Sequence, residues 1–301
     1  MIKRSSIVFL LLLVCWTFAD DTKKEQLDTV QSSAGADSIK RTGYNPSVAG
    51  GLSLIVPGAG QFYSRHYVKG SAFLLFEGVT IGTAIYWFNN ERDYHKSTKT
   101  LFEKAFADTG SKKIKYQGDA ELSEFDERRA KYRGYNAVAW ASGLYVYSFL
   151  DAIEGARIVD KTGGRSPVRA GLLSAIPGLG LGQLYNGAIS KAGMIFMGQM
   201  ALGVVSANYH RLMTKAEREY LKIENDSAMV DAGYLTKWES ERTSAFKYRN
   251  TYLWYSIFYY FYGIFDAVVD AHLHDYNDKM RLYPDLAPQG DGAALKLDVR
   301  F

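Results

Sequence analysis

The sequence predicts an all-α membrane protein made of two tandem copies of a helical hairpin broken near its start by Pro-Gly. About four transmembrane helices are expected, joined by long charged helical loops. Three observations carry this reading. The stretch "IVPGAGQFY", residues 55 to 63, recurs as "AIPGLGLGQLY", residues 175 to 185. An apolar run follows each copy, and a second apolar run rich in Tyr and Trp closes each unit after a charged interval of about forty residues. The charges, 36 basic against 32 acidic, fall in blocks between the apolar runs and form no single basic face that could track a phosphate backbone, so nucleic acid is not an expected partner.

At the N-terminus, "MIKRSSIVFLLLLVCWTFADD" sets Lys3 and Arg4 before a short apolar run and Thr17-Phe18-Ala19 before two acids. This is the pattern of a signal peptide spanning residues 1–19. The only cysteine, Cys15, lies inside it, so cleavage leaves no thiol for disulfides, metal ligation or nucleophilic catalysis. Residues 20–48 read as a polar linker with few large apolar side chains.

Module 1 occupies residues 49–160 and module 2 residues 161–278. Aligning "GGLSLIVPGAGQFYSRHYVKG" with "AGLLSAIPGLGLGQLYNGAISKAG" pairs Pro57 with Pro177 and Gly58 with Gly178. A two-residue insertion then brings Gln61 onto Gln183, Tyr63 onto Tyr185 and Lys69 onto Lys191. The closing segments pair as well, with Asp151-Ala152 on Asp266-Ala267 and Ala156 on Ala271. Internal repetition of this length means one structural unit used twice.

The first apolar runs are residues 70 to 88, charged only at Glu77, and residues 192 to 209, without charge. The second are residues 134 to 153 and 250 to 269. All approach the ~20 residues that a bilayer core requires, and small residues such as Gly78, Gly82, Gly198 and Gly203 allow close helix packing in lipid. A mean hydropathy of -0.18 favours the competing reading, a soluble helical core.

The intervals at 89 to 133 and 210 to 249 hold eleven and eight Lys plus Arg, and they read as solvated helical extensions facing the cytoplasm. The inner membrane is the expected location. Proline and glycine cannot continue a helix at 57–58 and 177–178. The chain must turn there, delivering Gln61-Phe62-Tyr63 to the membrane border. Residues 279–301 form a tail whose end, "GAALKLDVRF", alternates as a strand does.

The Pro-Gly openings and the close "FDAVVDAHLHDYNDKMRLYPDLAP" resemble a bacterial membrane-protein family catalogued as domain of unknown function 5683. The close matches that family's pattern at Asp266, Ala267, Val269, Asp270, Ala271, His272, Leu273, Asp275 and Tyr276. Module 1 departs from it, since "LDAIEGARIVD" lacks the His and the second Asp. Each module is also distantly similar to the two-helix transmembrane (TM2-like) domain. The resemblance implies a membrane architecture and no mechanism.

Ligand or partner candidates are Pro57, Gly58, Gln61, Tyr63, Pro177, Gly178, Gln183, Tyr185, Asp151, Asp266 and Asp270. Glu77 and Glu154 complete the set of ionisable groups expected within the spans. Asp270, His272, His274 and Asp275, with Asp278 close by, have the composition of a divalent-metal site. The bland reading has the aspartates pairing with Arg or Tyr hydroxyls of the neighbouring hairpin. No hydrolase elbow or phosphate loop is present, so no catalytic residue and no cofactor are assigned. The expectation is a non-catalytic envelope membrane protein, a scaffold or interaction module meeting an envelope partner or itself. The alternative is a small transporter-like or metal-dependent membrane protein using the Asp/His cluster.

Overall fold

The computed structural model describes residues 43–157 and 164–274, together with the backbone of two strands. The leader, most of the linker, and Asp275 and Asp278 lie outside the described residues. Module 1 opens with α1 (Pro46–Ile55) and α2 (Ala59–Tyr63), followed by α3 (Tyr67–Ala107) and α4 (Gly110–Ala156). Module 2 runs α5 (Pro167–Ser174), α6 (Leu181–Tyr185), α7 (Ile189–Glu224), a short α8 (Ser227–Asp231) and α9 (Tyr234–Leu273). The backbone then forms an antiparallel hairpin of β1 (Tyr283–Gln289) and β2 (Gly292–Asp298).

Helix starts are written locally in matched residues. Asn45 Oδ1 accepts from the Ser47 and Val48 amides ahead of Pro46, and Ser166 Oγ accepts from the Arg169 amide ahead of Pro167. A short polar cap and a first-turn proline satisfy or remove amides that a helix cannot bond itself. Module 1 therefore begins at Asn45, inside the stretch read as linker. Val56 leaves the helix in extended conformation, and Gly58, with φ 91°, caps α2.

The repeat frame shifts in three dimensions. Gly180, with φ 59°, is the residue that caps α6, and its missing Cβ would meet the backbone of Ala192 as that of Gly58 meets Gly70. Gly58 therefore answers Gly180, while Pro46 answers Pro167. Gly178 is an additional left-handed residue in a turn that is one residue longer in module 2.

The long helices stand in the order α3, α4, α7, α9, each packed on the next, with α1 lying on α4 and α5 on α9. A helix of 41 residues such as α3 extends about 60 Å, twice the ~30 Å of a bilayer core. Each long helix accordingly has an apolar half beside the break and a charged half beyond it. Both charged intervals are helical, as their composition predicts. Two helices, α3 and α7, are long and apolar enough to cross a membrane.

In the apolar half, glycines sit where helices touch. A Cβ on Gly143 would lie 2.8 Å from Met197 Cγ, one on Gly193 3.2 Å from Tyr147 Cα, and one on Gly198 2.4 Å from the Tyr259 ring. Gly78, Gly82 and Gly203 have open space at that position, so of the glycines expected to serve packing only Gly198 does so. The charged half has a core of its own, where Phe125 meets Trp238 edge-on at 5.3 Å and Leu212, Ile223 and Met229 close around them. Cross-module ion pairs rim it, including Lys222 with Glu121 at 2.8 Å and Arg129 with Glu241.

The tail's alternation reads as one lone strand, but β2 pairs back on β1. Pro284 and Pro288 hid β1. Spaced four apart, they share the edge of the hairpin turned away from β2, where a missing N–H costs nothing.

Candidate functional site

The same polar arrangement occurs at the break of each module, and the residues that build it are far apart in sequence. In module 1, α2 is held so close to α1 and α4 that Gly60 has no room for a side chain. A Cβ there would lie 2.1 Å from Ala49 O and 2.7 Å from Ala152 Cβ. This close approach drives Gln61 inward, to 1% exposure. Its amide donates to Ser148 O at 2.8 Å and to Asp151 Oδ2 at 3.1 Å. Lys69, at the start of α3, donates to Asp151 Oδ1 at 3.3 Å. The Ser148 hydroxyl accepts from the Gly58 amide at 2.9 Å, tying the break itself to α4.

Module 2 repeats the geometry at its glycine, glutamine, aspartate and lysine. Gly182 stands for Gly60, its missing Cβ 2.4 Å from Ala170 O and 2.9 Å from Ala267 Cβ. Gln183, fully buried, donates to Gly263 O at 2.7 Å and to Asp266 Oδ2 at 3.3 Å. Lys191 donates to Asp266 Oδ1 at 3.1 Å and to Asp270 Oδ2 at 2.6 Å. Tyr185 accepts from the Ser166 amide at 3.1 Å, and Tyr63 stands 3.5 Å from the Asn45 amide. Each tyrosine thus pins the cap of its module's first helix, and Arg165 lies over the Tyr185 ring at 5.6 Å.

The two arrangements touch where the modules join. Ser190, beside Lys191 at the start of α7, donates from its hydroxyl to Asp151 Oδ1 at 2.7 Å, and its amide donates to Glu154. Carboxylates at the end of module 1 therefore face the N-terminus of α7, where unpaired amides and the helix dipole favour negative charge.

Several expectations need correction. Gln61 and Gln183 do not present their amides outward but turn into the protein. Asp151 and Asp266 pair with lysine and glutamine of their own modules, not with Arg or Tyr of the neighbouring hairpin. Pro57 and Pro177 follow the ends of α1 and α5, where proline stops a helix, and take no part in the polar contacts described. Asp270 is engaged by Lys191, while His272 and His274 end α9. Among the described residues no three His, Cys, Asp or Glu side chains come together as a metal site.

Lys69 and Lys191 are the functional side chains that sequence reasoning paired without giving them a role. The signal was present in their matched positions, each followed by an apolar helix. What it lacked was the fold, which brings residues some eighty positions apart within hydrogen-bonding distance.

Comparison with known families agrees with the two repeated sites. The model described as "Family of unknown function (DUF5683)" matches twice, over residues 42–160 and 164–298, and the chain belongs to that family with two tandem copies. No curated protein and no solved structure matches the chain.

Proposed function

We propose that the protein is a non-catalytic integral membrane protein of the bacterial cell envelope, a scaffold whose four long helices all cross the bilayer and whose helical arms and tail meet a partner. The observation that carries this reading is the direction in which polarity faces in the apolar half. Only 17% of the apolar stretch of α3 is buried, which supports contact of this stretch with lipid over a place in a soluble core. The exposed side chains include Leu75, Val79, Ile85 and Tyr86 on α3 and Trp254, Phe258, Phe261 and Phe265 on α9. The chain carries no charge from Gly134 to Leu150 or from Asn250 to Phe265. The site aspartates, lysines and glutamines instead turn inward onto one another.

Apolar outside and polar inside is the arrangement a lipid solvent selects. At the far end of this zone Arg133 lies over Trp87 at 4.4 Å, and Tyr209 stacks between Tyr248 and Tyr252 at 5.2 and 5.5 Å. Aromatic rings beside basic residues are expected where spanning helices leave a bilayer. The repeated Gln-Asp-Lys contacts then act as a latch. They fix the break against the last helix of each module at the opposite border, and they leave Asp151, Asp266 and Asp270 committed to structural pairs.

Carbonate extraction of membranes, with protease protection of a tag placed after Phe301, tests this. The protein should stay in the membrane pellet with the tag and the latch ends on the periplasmic side. A protein washed off by carbonate sinks the four-span reading.

A further inference from the structure

The two modules also differ at a half-buried pair in the apolar half. On α7, Gln199 donates to Ser256 Oγ of α9 at 2.8 Å. Gln199 lies eight residues after Lys191, as Glu77 lies after Lys69. Ser256 lies ten residues before Asp266, as Ala141 lies before Asp151. Module 1 thus holds a carboxyl group in place of the amide and a methyl group in place of the hydroxyl that answers it.

Glu77 is 8% exposed, and its Oε2 is buried without a hydrogen-bond partner. It is the only charged residue of α3 between Lys69 and Glu91. It opens onto a groove between α3 and α4 of about 470 Å³, walled mainly by apolar side chains such as Ile81, Ile85, Phe88 and Val138, with Ser142 and Tyr145 also in its lining. A volume of that order suits a small amphiphile.

We propose that this groove is a binding site for a lipophilic amine, whose ammonium group pairs with the Glu77 carboxylate while its hydrocarbon lies along the apolar walls. A carboxylate in such surroundings needs a partner that both donates hydrogen bonds and offsets its charge. An ammonium group does both, and charge-assisted bonds of this kind are the stronger ones. A divalent cation does not fit, since hard cations take several oxygen ligands and, beyond Glu77, the lining side chains offer only the hydroxyls of Ser142 and of Tyr145, which already bonds Leu54 O. The position of Glu77, about 12 Å along the helix from Lys69, places the amine below the level of lipid headgroups. That depth rests on the bilayer reading of α3 and α4.

The test uses the purified full-length protein in detergent micelles, with dodecylamine as probe and dodecanol as its uncharged match. Bound molecules are counted by native mass spectrometry. One dodecylamine per chain is expected, with Glu77→Gln weakening it at least about ten-fold and dodecanol binding no better to wild type than to the variant. Glu77→Gln carries the residue type that module 2 uses at this position, and thermal unfolding checks that it folds. Ala141→Ser is the second variant. It supplies the hydroxyl that module 2 places there, and it should weaken the amine while leaving the carboxyl group in place.

Equal dodecylamine binding by wild type and Glu77→Gln overturns the site, as does dodecanol binding as tightly as the amine. A protein that carbonate strips from membranes yet binds dodecylamine through Glu77 keeps the site and loses the membrane reading. An embedded protein indifferent to Glu77→Gln loses the site alone.

Discussion

Modules 1 and 2 solve one packing problem with one geometry and complete it with different charges. In both, a glycine lets a short helix lie against the first and last helices of the module, a glutamine bonds a backbone carbonyl and an aspartate, and a lysine answers that aspartate. In module 1, Asp151 is also bonded by Ser190 from its neighbour. In module 2 a second carboxylate, Asp270, stands where module 1 has Gly155, and Lys191 serves both. Steric requirements at the centre of the site leave no alternative residue. At its edge, charge balance can be met in more than one way.

The largest effect should come from the glycines. Gly60→Ala and Gly182→Ala each force a methyl group against a backbone oxygen that cannot move aside. Overpacking of this severity costs about 3 kcal/mol or more. Both variants should lose the sharp size-exclusion peak of the folded protein in detergent, and a variant that keeps its peak and melting temperature would show that the helices are not held this closely.

Lysine replacement should separate the modules. Lys191→Met deprives two carboxylates of their shared cation, whereas Lys69→Met leaves Asp151 with Gln61 and Ser190. Breaking a buried pair costs ~3–5 kcal/mol, and partial exposure of Lys191, 31%, reduces this to about 2 kcal/mol. About 1 kcal/mol is expected for Lys69→Met. Thermal unfolding of both variants checks the order, and equal losses would mean that Asp270 adds nothing to the latch.

Two smaller changes carry features of one module into the other and should stabilise. Gly263 occupies the place of Ser148, whose hydroxyl takes the Gly58 amide, and nearby Ser174 Oγ and Gln183 Oε1 are buried without a partner. Ile195 Cδ1 lies 3.3 Å from a Cβ placed at Gly263, close enough that the isoleucine must give slightly. Gly263→Ser should add about 1 kcal/mol, one net hydrogen bond, read as a raised melting temperature. A fall would show that Ile195 does not yield.

Arg65 has φ 64° at the turn where module 2 uses Gly187, with φ 83°. A left-handed residue with a Cβ is strained by roughly 1–2 kcal/mol, part of which glycine returns in unfolded-chain entropy. Arg65→Gly should therefore gain about 0.5 kcal/mol in denaturant titration. No gain would place the arginine side chain in a contact of equal worth.

Local chemistry made much of the fold readable. The Pro-Gly breaks, the helices on either side and the charged helical extensions follow from backbone rules and composition, and repetition doubled each signal. The latch was less readable. Gln61 has the composition of an interfacial residue, and only the approach of α2 to α4, permitted by Gly60, turns it inward. Matching Pro57-Gly58 to Pro177-Gly178 sets the frame of the repeat off by one residue, because Pro-Gly is a stronger sequence mark than the caps at Asn45 and Ser166. A turn can absorb an extra residue such as Gly178 without disturbing the helices it joins.

By itself, then, the sequence determined that this chain is two copies of a broken helical hairpin, because helix, turn and repeat are written in neighbouring residues. Tertiary structure alone decided that Lys69 meets Asp151, that Lys191 bridges Asp266 and Asp270, and that Glu77 stands without the hydroxyl its counterpart enjoys. Those pairings depend on which helix faces lie together, and that is set by packing between segments distant along the chain.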